Sequence, residues 1–277
     1  FCVRKTLYFR TILHWTRLAF YNQTNILYNL LLTMTKIGII GGSGLDNPDI
    51  LKEAVDKTGD NKYGQPSSPL ACGKINGVDV VILARHGRNH SIPPTKVNFL
   101  ANIYALKEEG CTHILAATAV GSLRTEIKPG NLVFPSQFID FTRHRNLTFF
   151  TDHVVHTPMA TPYDFQLRET LCQACQELGY PYNRDVTVIT IEGPRFSTKA
   201  ESLMFRQWGA DIINMSTCPE VILANELNLP YQTIAMSTDY DCWKEDEAPV
   251  TFEMIMERMK ENADKVKNIL ISVVRRI

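Results

Sequence analysis

Seven short runs rich in Ile and Val, alternating with longer segments of helical periodicity, constrain this chain more than any other feature. They are Lys36–Ile40, Val78–Ala84, Thr112–Thr118, Asn131–Phe134, Val186–Ile191, Ala210–Met215 and Tyr231–Met236. Runs apolar almost throughout are expected of strands covered on both faces, since a half-exposed strand alternates apolar and polar positions. Between them, Val97, Leu100, Ala101, Tyr104 and Ala105 form one helical stripe. Phe252, Ile255, Met256, Met259, Val266, Ile269, Leu270 and Val273 form a long C-terminal one. Thr198–Glu201 and Thr217–Glu220 both fit the capping-box pattern and predict helix starts directly after two strands. The pattern is that of an α/β fold. No Pro, Gly or Ser-rich linker and no internal repeat interrupts residues 34–277, which read as a single domain.

Charge bears on which partners are possible. The 277 residues carry 29 basic and 29 acidic side chains, whereas a nucleic-acid binder normally shows a basic excess. The balance is uneven along the chain. Residues 1–35 hold Arg4, Lys5, Arg10 and Arg17 and no acid, which leaves 25 basic against 29 acidic groups in the remainder. Residues 1–33 read as a leader ahead of the true start, because Met34 is the first Met and a strand begins at Lys36. An organelle presequence and a genuine structural extension are the alternatives. The longest apolar run there, Ile26–Leu32, is interrupted by Tyr28 and Asn29 and falls short of the ~20 residues of a membrane span. Seven cysteines in no regular framework suit a reducing compartment, and the expected location is the cytoplasm. Cys172 and Cys175 form a C-x-x-C inside a helical pattern without a second pair, which favours packing over metal or redox use.

Chemistry-bearing residues collect where the strands end, the region in which α/β sheets bind ligands. The first strand runs into Gly41-Gly42-Ser43-Gly44, small residues that let backbone amides approach a phosphate; a tight turn explains them equally well. The second ends in Arg85-His86-Gly87-Arg88-Asn89-His90, either an anion site or a solvated basic loop. The third ends in Ala117-Thr118-Ala119-Val120-Gly121-Ser122. Farther on, Glu192 and Arg195 are expected to pair and hold Phe196 and Ser197, the ring being able to stack on a planar heterocycle. Asn214-Met215-Ser216-Thr217 closes another strand. Asp239 and Asp241 alternate about Tyr240 and share a face if the strand continues. A carboxylate pair suits general acid work and recognition of an exocyclic amine, although Asp is equally common in turns and caps.

Taken together, GIIGGSGLD, ARHGRNH, ATAVGSL, TIEGPRFSTKAES, NMSTCPEVILA and STDYDCWKE, in that order, resemble the purine nucleoside phosphorylase superfamily. Within its trimeric branch they are similar to the 5′-methylthioadenosine phosphorylases. The resemblance runs from about Lys36 to the C-terminal helix.

It implies a mixed central β-sheet flanked by helices and a homotrimer with active sites near subunit interfaces. It also implies phosphorolysis of a nucleoside, with inorganic phosphate as co-substrate and no metal or organic cofactor. Nucleic acid and membrane are not expected partners. Phosphate would lie against Ser43, Arg85, His86, Thr118, Ala119 and Ser216, and Met215 would lie under the ribose. Phe196 and Ser197 would border the base, His90 would approach the sugar and phosphate, and Phe252 and Ile255 would face the 5′-methylthio group. Asp239, Asp241 and Ser216 would form the catalytic set, the two carboxyls reading the purine N7 and 6-amino edge. A 6-oxopurine nucleoside or methylthioinosine phosphorylase would share the phosphate site, and a non-catalytic nucleoside-binding protein would share the fold.

Overall fold

The computed structural model describes residues 35–41, 50–245 and 251–277, the side chains of Phe252 and Glu261 excepted. The chain divides into two units, Phe1–Thr35 and Lys36–Ile277, and every element below belongs to the second. The expected leader, residues 1–33, lies outside the described residues, as does Ser43. The strands are β1 (Lys36–Gly41), β2 (Lys52–Lys57), β3 (Leu70–Ile75), β4 (Val78–Ala84), β5 (His113–Ser122), β6 (Leu132–Phe141), β7 (Tyr182–Ile191), β8 (Ile212–Asn214) and β9 (Tyr231–Asp239). The helices are α1 (Phe99–Glu108), α2 (Phe165–Leu178), α3 (Lys199–Gln207), α4 (Thr217–Glu226) and α5 (Phe252–Val273).

All nine strands join in one mixed sheet of order β2-β3-β4-β1-β5-β8-β7-β6-β9. β1 runs parallel to β4 and β5, its Ile37, Ile39 and Ile40 almost wholly shielded from solvent. β9 pairs antiparallel with β6 and parallel with β5, so β5, β8, β7, β6 and β9 close into a circuit. Helices flank the sheet. α5 buries Met259, Val266, Ile269, Leu270 and Val273, five positions of the expected C-terminal stripe.

Local signals explain where the helices begin and end. Asp164 caps α2 by accepting from the Leu167 N–H, and Gly179, in the left-handed region at φ 69°, stops it. Thr198 and Glu201 form the expected capping box of α3. The second expected box is not formed. Ser216 occupies the N-cap of α4 without a side-chain capping bond, Cys218 is non-helical, and Glu220 turns inward to a buried arginine. A full charge inside the core takes precedence over one backbone N–H, because an unpaired buried ion costs several kcal/mol and a lost cap about one.

Cys172 and Cys175 lie buried on α2, where burial raises their thiols to about 11 and about 12. Neither is a thiolate at neutral pH, which fits packing. β2 and β3 escape sequence reading. β2 (KEAVDK) is exposed throughout, and its charges hide the strand signal. β5 and β9 also extend past their apolar cores to Ser122 and Asp239, which puts residues read as loop inside strands.

Candidate active site

A cavity of about 390 Å³ opens where these strand ends meet. Its walls include Arg85, His86, His90, Thr118, Ala119, Phe196, Ser197, Met215, Ser216, Asp239, Asp241 and Ile255. These are twelve of the fourteen residues expected there. Ser43 lies outside the described residues, and so does the side chain of Phe252.

Register accounts for the convergence. β8 runs antiparallel to β5 with Ile213 opposite Gly121, so the segment that leaves β8 carries Ser216 back along β5 toward Thr118. Their hydroxyls meet at 2.8 Å. Asn214 braces the pair from behind: its amide donates to Thr217 Oγ1 at 2.6 Å, and its carbonyl accepts from Thr190 Oγ1 at 3.0 Å.

Arg85 follows β4 directly and is 1% exposed. Its Nε and Nη2 donate to Glu220 at 2.5 and 2.9 Å, and Nη1 donates to the Ala117 carbonyl at 2.8 Å. The guanidinium is thereby held in a fixed plane at the cavity wall, a bidentate geometry available to Arg and not to Lys.

His86 Nδ1 lies 2.9 Å from the Ile92 carbonyl, which only accepts, so Nδ1 carries the proton and Nε2 is the acceptor nitrogen. Burial, with the Arg85 charge next, lowers this imidazole to about 4. Burial and Arg85 also lower His90, whose ring centre is 4.6 Å from that of His86. An unfolded imidazole takes a proton near pH 6.5 and the folded His86 only near 4, so acidification between those values favours the unfolded chain. Urea midpoints should therefore fall as pH drops through that window, and His86→Gln should flatten the fall. A variant with the wild-type slope would show that His86 is not its source.

The Asp239–Asp241 pair is built on a turn. Asp241 leaves the strand at φ 44°, and its backbone N–H donates to Asp239 Oδ2 at 2.9 Å. The carboxyls thus come together through a reversal and not, as expected, through continuing strand geometry. Thr238 Oγ1 donates to Asp239 Oδ1 at 2.6 Å, and Ser197 Oγ lies 2.8 Å from both Asp241 oxygens. Burial raises the Asp239 carboxyl, and the Asp241 charge adds to the rise. Gly121 closes the floor: a Cβ there would stand 3.1 Å from Asp239 Oδ2.

Glu192 and Arg195 do not pair with each other. Glu192 accepts from the Arg143 and His144 backbone and from Arg145 Nε, whereas Arg195 grips Glu201 through both terminal nitrogens and the Phe196 carbonyl through one. Arg195 still anchors Phe196, using the α3 capping glutamate in place of the expected partner. The Phe196 ring stands 43% exposed at the cavity mouth.

Sequence reading missed Glu220 and Tyr231 as parts of this site, and it named Asn214 in a strand-end motif without giving it a role. A Glu inside the otherwise apolar CPEVILA segment was the available signal, since an acid at a core position requires a partner. Among the described residues, no cluster of three His, Cys, Asp or Glu side chains could hold a metal ion, and no helix is long and apolar enough to cross a membrane.

An α/β sheet that gathers a guanidinium, hydroxyls and a carboxylate pair in one cavity leads to the Phosphorylase superfamily, whose family model matches residues 36–275; the chain belongs to it. Within it, the S-methyl-5′-thioadenosine phosphorylase of Danio rerio is 55% identical over 248 residues, covering 87% of this chain and 89% of its own. That of Drosophila melanogaster is 52% identical over 248 residues, covering 87% and 86%. Among solved structures, the methylthioadenosine phosphorylase of Schistosoma mansoni in complex with adenine superposes with a TM-score of 0.83 at 40% identity, covering 87% of this chain and 91% of the other.

Proposed function

We infer that this chain catalyses phosphorolysis of 5′-methylthioadenosine to adenine and 5-methylthioribose 1-phosphate. The observation that carries the reading is one cavity lined both by Arg85, Thr118 and Ser216 and by the Asp239–Asp241 pair. Relatives of this name at about half identity over most of the chain support it.

In this reading, a phosphate oxygen forms a bond to the anomeric carbon while the bond from that carbon to the purine nitrogen breaks. Positive charge develops on the sugar and is stabilised by the phosphate. Negative charge develops on the leaving purine and is relieved by a proton passed from Asp239 to N7. The raised Asp239 carboxyl favours that protonated form. Asp241, oriented by Ser197, accepts from the 6-amino group, where a 6-oxo group would meet acceptor against acceptor. Met215 supports the ribose, and Ile255 contributes an apolar wall for the methylthio group. Fixed groups do most of the work by positioning and by charge placed in advance. Inorganic phosphate is the co-substrate, with no metal or organic cofactor, and the assembly is a homotrimer in the cytoplasm.

Base release followed by ultraviolet absorbance, with and without phosphate, on methylthioadenosine, methylthioinosine and inosine tests the reading. Methylthioadenosine should turn over fastest and only with phosphate. Faster cleavage of either oxo substrate would reassign the enzyme to 6-oxopurines, and binding without cleavage would make it a binding protein.

A further inference from the structure

Arg85 is a plausible phosphate ligand from sequence, but nothing in the sequence says what holds it. Its Nε edge faces inward to Glu220, which is fully buried and has its second partner in Tyr231, whose hydroxyl donates to Glu220 Oε2 at 2.9 Å. Tyr231 opens β9 and Glu220 lies in α4, so two elements that meet behind the cavity clamp one carboxylate. That carboxylate takes both Nε and Nη2 of Arg85, and the Ala117 carbonyl on β5 takes Nη1. Burial, with the Glu220 charge next, keeps the Tyr231 phenol far above its usual range, so it remains a donor. The Tyr231 ring packs in the apolar core, whereas its hydroxyl, the Glu220 carboxylate and the Arg85 guanidinium are polar groups inside it. The polar chain is tolerated in the core only because every member is paired, and its geometric output is the plane of one guanidinium.

We propose that Glu220, braced by Tyr231, is a positioning residue for phosphate: it sets the plane in which Arg85 presents itself to the anion, and it does not contact substrate. The inference rests on the phosphate-dependent reading of the cavity. It also separates two roles for the carboxylate. If Glu220 only balanced charge, any carboxylate nearby would serve; if it positions, length matters. Asp is one methylene shorter and keeps the charge, but it cannot span Nε and Nη2 from the same backbone position.

The test measures inorganic phosphate binding and, separately, 5′-methylthioadenosine binding in phosphate-free buffer, both by calorimetry, on wild type, Glu220→Asp and Tyr231→Phe. Glu220→Asp should weaken phosphate by about 10- to 30-fold, the scale of one lost charge-assisted hydrogen bond, and leave the nucleoside within about threefold. Tyr231→Phe should weaken phosphate in the same sense by about threefold to tenfold, one neutral donor being lost. Steady-state KM for phosphate should follow, with KM for nucleoside nearly unmoved. Wild-type phosphate affinity in the variants would overturn the proposal, as would equal weakening of both ligands, the mark of a structural role. If Glu220→Asp does not fold, Tyr231→Phe decides alone by the same criteria. A wild type that binds no phosphate would instead sink the functional reading itself.

Discussion

Asp239→Asn should lower kcat/KM for methylthioadenosine by about 10²- to 10⁴-fold, the range that one positioned proton donor contributes. The amide keeps the size and can still accept from the Asp241 backbone N–H and donate toward N7, with the Thr238 hydroxyl turned to accept, but it has no proton to give up. Its effect should therefore fall on kcat more than on KM. A second consequence is a change of preference. An amide can donate as well as accept, so the variant should lose less against 6-oxopurine nucleosides than against methylthioadenosine. The pH dependence has a definite sign. Burial raises the Asp239 carboxyl above the ordinary value of 3.8, so its protonated form survives to higher pH than in a free Asp and is lost as pH rises through the folded value. The wild-type rate should decline along that limb, and the residual rate of the variant should not. Initial rates over a pH series on both proteins, with two nucleosides, check all three points. An Asp239→Asn enzyme as fast as wild type would remove Asp239 from the mechanism.

Arg85→Ala should destabilise the fold by about 3–5 kcal/mol, because it strands the Glu220 carboxylate in a fully buried site. Phosphate-dependent turnover should vanish with it, and the loss could be ascribed to unfolding alone. Replacing Arg85, Glu220 and Tyr231 together by Met, Leu and Phe separates the two effects. Buried ion pairs exchanged for apolar groups of similar volume are often neutral for stability. The triple variant should thus recover most of the urea midpoint and none of the activity. Recovery of both would show that the network serves the fold only.

The α/β class, most strands and twelve residues that line the cavity were legible because nearly all of them sit beside a strongly apolar run. What escaped did so for physical reasons. β2 carries Lys52, Glu53, Asp56 and Lys57 and pairs on one side only, so it lacks the apolar signature of a covered strand. The Asp239–Asp241 pairing was expected from a two-residue period, yet a left-handed residue at Asp241 produces it, and no periodicity announces such a turn. Glu192 and Arg195 are near neighbours in sequence, but each found its partner elsewhere, Arg145 and Glu201, because loop direction and not proximity decides which charges meet. Glu220 fits a cap in one dimension and an arginine in three. The sequence pattern could not choose between them, since a choice between partners depends on burial.

The circuit of β5, β8, β7, β6 and β9 has one further consequence. The closure joins one end of the strand order to its middle, which leaves β2 as the outermost described strand. Charged residues stand at both ends of this exposed strand, Lys52 and Glu53 at one and Asp56 and Lys57 at the other, and discourage another chain from adding to it. That rim is not independent of the cleft, because Arg88, in the loop between Arg85 and His90, donates through both terminal nitrogens to the Asp56 carboxylate on β2.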